Sequence, residues 1–248
     1  MSTVESLLGA VRESYALYFT HGARSSKKVD HFHGFIKSTI DSFLERNNLT
    51  NSHKCVLEHN VDSFNSSGKK KCDIVVLRNS DPIIVFPVKL VMTNYKQNKN
   101  NSWENLTGEL VHLHWKNPSL NLIPINILLN YPPYLSSEKI ITRYEKVTYD
   151  DIRNYELLRE RGVVFEMMNY IVNAKHHCSV GEKFDKCPEL EGLDESTPFV
   201  SMDTVLNCLK IAYLNMAILE RNSSRSCIKP RLMNGHDHGF ALVPNKLR

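Results

Sequence analysis

Two apolar runs rich in β-branched residues lie close together in the first half of the chain. Residues 72–77 read CDIVVL, residues 83–91 read IIVFPVKLV, and the NSDP sequence at 79–82 between them is typical of a turn. Parallel strands need a connection of about a dozen residues or more, so this short turn predicts antiparallel neighbours. A third apolar segment at 54–61 precedes a turn at 65–68, and the three segments together predict a meander.

Helical patterns flank this predicted meander. We expect a first helix over residues 3–19 and a second over 30–45, in which apolar side chains recur at helical spacing. Ser102 is a typical N-cap for a third helix over 103–116, and residues 122–129 then read as a buried strand. A helical crossover of this length predicts that this strand runs parallel to an earlier one. The order predicts an α/β fold with an αβββαβ core, a mixed sheet flanked by helices.

The C-terminal third is predicted to be mostly helical. The pattern indicates one helix over residues 149–173 and another from Ser201 to about residue 221. The second of these helices is apolar around most of its circumference, so we expect it to be buried in the core or at a subunit contact. Residues 176–198 show no regular pattern, and we expect the whole chain, 1–248, to form a single domain.

Composition excludes several classes of protein. The chain has 248 residues, of which 42% are hydrophobic and 23% charged, as in ordinary globular proteins. No apolar run approaches the ~18 residues that span a bilayer, and charged side chains in the first helix argue against a signal peptide or an anchor. The six cysteines lack the spacing of a disulfide framework, which predicts reduced thiols and a cytoplasmic protein without a membrane partner. A net charge of +4 permits nucleic-acid binding without requiring it.

Two charged side chains interrupt the apolar strands. Asp73 begins one predicted strand and Lys89 lies late in the next, so a hairpin can bring a carboxylate and an ammonium to the same end of the sheet. Side chains alternate along a strand, so Lys89 shares a face with Pro87. A lysine in such an apolar run has two explanations: its ammonium reaches water at the strand end, or it has a chemical role.

This arrangement resembles the PD-(D/E)XK nuclease superfamily, which includes many type II restriction endonucleases. Cys72-Asp73 stands where the family has Pro-Asp, and Pro87-Val88-Lys89 stands where it has a carboxylate, any residue and lysine. The resemblance covers about residues 30–130 and implies a restriction-endonuclease-like core. It also implies Mg²⁺-dependent cleavage of double-stranded DNA at a short recognition sequence by a homodimer, with a companion DNA methyltransferase. The helical region, at about 149–222, would then supply dimerisation and recognition surfaces.

The resemblance is incomplete at Pro87, which lacks the family's carboxylate. Some restriction enzymes that are similar in this respect supply the missing acid from the following helix, where this chain has Glu104 and Glu109. Glu109 shares a helical face with Leu106 and Leu113, so it is expected to point toward the sheet. Glu104 lies nearer the family's usual spacing from the lysine but on a more polar face. We favour Glu109 and keep Glu104 as the alternative.

Phosphodiester hydrolysis explains why these residue types belong together. Carboxylate oxygens are the ligands that Mg²⁺ prefers, so Asp73 and Glu109 are the expected metal ligands. The ammonium of Lys89 would orient the attacking water and neutralise charge in the transition state. Glu58, on the first strand, and Glu45, at the end of the second helix, are candidate accessory ligands. Each of these two has an equally simple interpretation as an exposed acid.

Basic and amide side chains beside the predicted site are candidates for DNA contact. Lysines reach phosphates, and asparagine or glutamine reads adenine in the major groove. A solvated polar turn is the alternative interpretation of both stretches. The candidate residues are Lys70, Lys71, Asn94, Lys96, Gln97, Asn98 and Lys99.

Other functions stay open at this point. A repair, recombination or structure-specific nuclease has the same fold, and a non-catalytic DNA-binding relative would explain the loss of the carboxylate at Pro87. Histidine doublets such as His31-x-His33 lack the paired spacing of structural zinc sites. The best zinc candidates are Cys178 and Cys187, and we set them aside.

Overall fold

Proline divides the sheet in two. β3 (Asp81–Phe86) belongs to one sheet and β4 (Val88–Val91) to another, with Pro87 between them. Because proline has no backbone N–H, it interrupts the ladder of hydrogen bonds at this point. The parallel neighbour is divided in the same way, since Pro124 lies between β5 (Asn121–Leu122) and β6 (Ile125–Leu129). The computed structural model describes residues 3–210.

The first sheet has the strand order β1-β2-β3-β5, where β1 is His53–Asp62 and β2 is Lys69–Arg78. β1, β2 and β3 are antiparallel neighbours, as the short turns predict, and β3 is parallel to β5. The second sheet has the order β10-β9-β6-β4, with β9 at Met168–Lys175 and β10 at Glu189–Leu193. β4, β6 and β9 run parallel.

Helices flank the sheets. Two long helices pack against each other, and the second of them also packs on β1. A third long helix crosses from β4 to β5, and short helices precede β9. The α-helical elements are α1 (Val4–His21), α2 (Lys27–Arg46), α3 (Tyr95–Lys116), α4 (Tyr149–Ile152), α5 (Glu156–Glu160) and a helix at 202–210. A small hairpin is formed by β7 (Pro133–Leu135) and β8 (Ile141–Tyr144).

The predicted α/β class, with mixed sheets flanked by helices, is confirmed. α3 buries Leu106, Leu110 and Leu113 completely or nearly so in a cluster with Val75 and Val85 of the first sheet. These are the same three leucines that the helical spacing selected. The spacing works because residues three and four apart share one face of a helix.

The prediction of one helix over 149–173 is wrong. α4, a 3₁₀ turn and α5 end at Glu160, and β9 follows as a central parallel strand. A strand that is buried on both faces has a continuous apolar run without alternation, so its pattern does not separate it from a buried helix. Gly162, with φ 68°, lies in the left-handed region just after α5 and helps to end it.

The start of α3 also differs from the prediction, since the helix begins at Tyr95 and not at residue 103. Asn94 precedes it with φ 54°, and its amide oxygen accepts a hydrogen bond from the backbone N–H of Leu135. The buried carboxylate of Glu145 accepts from the N–H of Lys96. Both contacts come from distant parts of the chain, so the local sequence carries no signal for them.

Ser201 begins the helix at 202–210, because its hydroxyl accepts a hydrogen bond from the N–H of Thr204. The predicted continuation to residue 221, and the rest of the helical region beyond 210, lie outside the described residues.

The chain divides into two compact units, residues 1–207 and 208–248. Among the helices of residues 3–210, none has the length and apolar character to cross a bilayer.

Replacing Leu110 tests whether the α3 interface stabilises the fold. Leu110 is 0% exposed, so Leu110→Ala is expected to lower the free energy of unfolding by about 2–5 kcal/mol. Leu157→Ala is the control, because Leu157 is 47% exposed and its loss is expected to cost less than about 0.5 kcal/mol. Urea unfolding followed by circular dichroism measures both values. Equal effects from the two substitutions would contradict the assignment of this core.

Candidate metal centre at the division of the sheet

Asp73 lies in the middle of β2, not at its start as predicted, because the strand begins at Lys69 and pairs with β1 from there. It lies at the level where the two sheets separate. In β2, Ile74 pairs with Phe86, the last residue of β3. The backbone N–H of Val88, which begins β4, donates a hydrogen bond of 2.8 Å to Oδ2 of Asp73. A backbone N–H at the end of a ladder needs a replacement partner when it is buried, and this carboxylate provides it. The bond fixes Asp73 next to the backbone of Lys89.

Glu58 faces Asp73 across the β1–β2 hairpin. Leu57 pairs with Ile74 and His59 with Cys72, which leaves Glu58 opposite Asp73. Glu58 has φ 53°, a left-handed conformation that costs a residue with a side chain of the order of 1–2 kcal/mol. Such strain concentrates at functional sites.

The strain at Glu58 changes which face of β1 each side chain occupies. Val56 and Val61 both pack against the α3 cluster, although strict alternation over five positions would put them on opposite faces. The same reversal occurs in β2, where Cys72 and Val75 both belong to that cluster. The hairpin is therefore kinked at the level of Glu58 and Asp73.

His33 of α2 completes a group of three. One ligand atom from each of His33, Glu58 and Asp73 lies within 4.8 Å of the other two. His33 is only 4% exposed, and its Nε2 is buried without a hydrogen-bond partner among the described residues. A buried polar nitrogen without a partner costs about 1–3 kcal/mol. A cation at this point would give the imidazole a ligand bond in its neutral form.

The donor set fits a divalent cation. Two carboxylates suit Mg²⁺ or Mn²⁺, and an imidazole nitrogen suits softer divalent ions such as Zn²⁺, Fe²⁺ or Ni²⁺. The neighbouring thiol of Cys72 is not one of the three grouped ligands, because Cys72 belongs to the cluster packed against α3. Burial, reinforced by Glu109, raises the pKa of this thiol to about 12. The candidate ligands are therefore oxygen and nitrogen atoms.

Two lysines of the predicted DNA surface are paired within the site region. Lys71 forms an ion pair of 2.6 Å with Glu58, and both side chains are about half exposed. Exposed ion pairs of this kind contribute about 0–1 kcal/mol to stability. A cation bound to Glu58, or a phosphate bound to Lys71, would therefore replace the pair at little cost. Lys70 pairs with Glu109 at 2.9 Å. Burial is the largest single influence on the pKa of Lys70 and lowers it, but the hydrogen bond to Glu109 and the negative charges around the ammonium together raise the net pKa.

The predicted acids separate into different places. Glu58 is brought to Asp73, whereas Glu109 contacts Lys70 on the face of β2 that packs against α3. Glu104 is exposed on α3. Glu45 lies twelve residues after His33 in α2, which is about 18 Å along the helix axis. Glu45 therefore lies too far from His33 to belong to the same group of ligands.

Lys89 is the second residue of β4 and is half-buried. Its ammonium makes no ion pair with the carboxylates of residues 3–210, those of Asp73 and Glu109 included. The backbone of Lys89 lies close to Asp73, next to the Val88 N–H that binds the carboxylate. The register partner of Lys89 in the neighbouring strand, β6, is Asn126.

The amide-rich stretch predicted to contact DNA forms the first turns of α3. Lys96, Gln97 and Asn98 are exposed there. Asn94 is used within the fold, and Lys99 pairs with Asp151 at 2.8 Å. The stretch therefore offers three exposed side chains on a helix, of which Gln97 accepts a hydrogen bond from Nδ2 of Asn94 and Asn98 donates one to the backbone carbonyl of Asn94.

Sequence reasoning did not select His33. His31-x-His33 lacks the paired spacing of a structural zinc site, so its spacing does not indicate a ligand role for His33. The informative signal is its position on α2, where it shares the buried face with Ile36 and Ile40. Cys178 and Cys187, the zinc candidates, form no group of three ligands within the described part of the chain.

Comparisons with protein-family models, with curated proteins and with solved structures found no match to this chain.

Metal binding tests the group directly. We expect Mn²⁺ or Mg²⁺ at a hundred times its Kd to raise the free energy of unfolding by about 2.7 kcal/mol. His33→Ala should weaken the affinity measured by calorimetry by about 10-fold or more, the effect of losing a ligand or its support. His31→Ala is the matched control, because His31 lies on the same helix and pairs with Glu13. Equal affinities for the two variants would remove His33 from the site.

Proposed function

We propose that this protein is a divalent-metal-dependent nuclease that hydrolyses phosphodiester bonds in double-stranded DNA. The observation that carries the proposal is the grouping of His33, Glu58 and Asp73 next to the backbone of Lys89. Carboxylates, an imidazole and a lysine are the side chains that metal-assisted phosphodiester hydrolysis needs. The grouping lies at the level where the sheet divides.

The element order supports the finer part of the proposal, a restriction-endonuclease-like core. α2 is followed by the β1-β2-β3 meander, by α3 as a crossover and by the parallel strands β5 and β6. This is the αβββαβ order that the resemblance implies. Asp73 is on the second strand of the meander, and Lys89 is just past the third.

Each residue of the site then has a role. Asp73, Glu58 and His33 would hold Mg²⁺ or Mn²⁺, and the bound ion would activate water and stabilise charge on the phosphate. Asp73 uses one oxygen to accept from Val88, which leaves the other oxygen for a ligand role. The ammonium of Lys89 would hold the water in place and neutralise the charge that develops in the transition state.

The carboxylate missing at Pro87 has a substitute in this arrangement. Glu58 supplies the second acid from the neighbouring strand, and its ligand atom lies within 4.8 Å of that of Asp73. Glu109 and Glu104 stay as the alternatives that the resemblance implies. The ion pair of Glu109 with Lys70 favours Glu58 over Glu109 as the second acid.

The remaining features of a type II restriction enzyme belong to the same proposal. We propose cleavage at a short recognition sequence by a homodimer in the cytoplasm, with a companion methyltransferase protecting the host site. A palindromic site requires a twofold dimer on geometric grounds. The exposed residues at the start of α3, Lys96, Gln97 and Asn98, are the side chains available for DNA contact.

Plasmid cleavage tests the function. We expect cleavage in Mg²⁺ or Mn²⁺ that EDTA abolishes, with Lys89→Ala and Asp73→Asn reducing the rate by about 100-fold or more. Lys54→Ala, an exposed lysine on β1, is the control and should leave the rate unchanged. Discrete fragments support a site-specific enzyme, and a smear or junction-dependent cutting supports a repair or structure-specific nuclease. DNA binding without cleavage under every divalent cation would overturn the proposal in favour of a non-catalytic relative.

Three matched substitutions identify the second acid. Glu58→Gln, Glu109→Gln and Glu104→Gln each remove one charge with little change in shape. We expect Glu58→Gln to reduce both metal affinity and cleavage, because it removes a proposed ligand. Glu109→Gln should leave metal affinity unchanged, because this substitution removes only the ion pair of Glu109 with Lys70. If calorimetry shows that Glu109→Gln weakens metal binding and Glu58→Gln does not, Glu109 is the second acid.

A further inference from the structure

An ammonium group already binds one of the three proposed metal ligands. Nζ of Lys71 lies 2.6 Å from Oε2 of Glu58. In the β1–β2 ladder Lys71 pairs with Asn60, two residues from Glu58, so the two charged side chains are diagonal neighbours across the hairpin. The carboxylates of Glu58 and Asp73 carry two negative charges, and Lys71 neutralises one of them.

This ion pair is more exposed than the neighbouring one. The side chains of Lys71 and Glu58 are 62% and 48% exposed, whereas those of Lys70 and Glu109 are 36% and 15% exposed. An exposed ion pair shifts an equilibrium by a factor of no more than about 5. A partner with a higher charge than an ammonium can therefore take Glu58 from Lys71.

A divalent cation is such a partner. An ion bound to Glu58 would lie close to the ammonium of Lys71, and the two positive charges would repel each other. Lysine carries its charge on a flexible four-carbon stem, so the ammonium can move away without any movement of β2. The metal and Lys71 therefore compete for the same carboxylate.

The ammonium that leaves Glu58 gains a new possible partner. Lysine ammonium groups bind phosphate oxygens as point charges. In the metal-free protein Glu58 neutralises the charge of Lys71, and metal binding would make that charge available. Lys69 differs, because it is exposed on the same strand and forms no ion pair among residues 3–210, so its charge is available in both states.

We propose that Lys71 couples metal binding to nucleic-acid binding. It is the counter-ion of Glu58 in the metal-free protein, and a divalent cation at His33, Glu58 and Asp73 releases it to a backbone phosphate of the substrate. The inference deepens the proposed nuclease function and rests on it. Coupling of two binding equilibria is reciprocal, so DNA raises the metal affinity through Lys71 by the same factor by which the metal raises the DNA affinity. That factor is at most about 5, as for an exposed ion pair.

Calorimetry with Mn²⁺, in the absence of DNA, tests the competition. Methionine keeps the length of the lysine side chain and removes its charge. We expect Lys71→Met to bind Mn²⁺ about 2- to 5-fold more tightly than the unsubstituted protein, because Glu58 no longer has a competing partner. Lys69→Met is the matched control and should leave the affinity unchanged, and so should Lys71→Arg, which retains a cation beside Glu58. Equal affinities for Lys71→Met and Lys69→Met would overturn the proposal.

The salt dependence of DNA binding tests the release to phosphate. Anisotropy of a labelled DNA duplex measures the affinity in a Lys89→Ala background, which is expected not to cleave. In Mn²⁺ we expect Lys71→Met to reduce the slope of log K against log salt by about 0.9, the loss of one phosphate contact. In EDTA the same substitution should leave the slope unchanged. An equal reduction in both conditions, or none in either, would contradict the coupling.

These measurements separate the inference from the nuclease function. If Mn²⁺ binds Lys71→Met and the unsubstituted protein equally well, the inference fails and the metal centre stands. If neither protein binds Mn²⁺, the metal centre, the nuclease function and the inference all fail. Tighter binding in Lys71→Met with a metal-dependent change in slope, in a protein that cleaves no DNA, supports the coupling and rejects the nuclease function.

Discussion

The hydrogen bond from the backbone of Val88 to the side chain of Asp73 joins the two sheets at the point where they separate. Pro87 ends the ladder of β3, and the next N–H would otherwise be buried without a partner. One carboxylate oxygen solves this structural problem, and the same side chain belongs to the group with His33 and Glu58. Structure and proposed chemistry thus depend on the same side chain, which ties the position of the metal ligands to the integrity of the sheet.

The groups that converge at this break reach it from opposite directions. α2 brings His33 and the kinked β1 brings Glu58, whereas the backbone N–H of Val88 reaches Asp73 from the other sheet. The candidate centre is therefore assembled from both sheets. Strain at Glu58 and a ring nitrogen of His33 that has no hydrogen-bond partner among residues 3–210 are both unfavourable in isolation, and both are explained if the group binds a cation.

Much of the fold and part of the candidate site could be predicted. Short turns dictate antiparallel strands, and helical spacing selected the three buried leucines of α3, because both rules are local. β9 was misread because a strand buried on both faces has no alternation. The early start of α3 was missed because Leu135 and Glu145 complete its first turn from far along the chain.

The sequence by itself determined the α/β class, the meander and the parallel crossover, since these follow from connection length and periodicity. Only the tertiary structure decided which acid stands beside Asp73, that His33 joins it, and that Glu109 pairs with Lys70 instead. Those choices depend on a backbone kink and on register between distant strands. Neither has a local signature, because each is set by packing across the sheets.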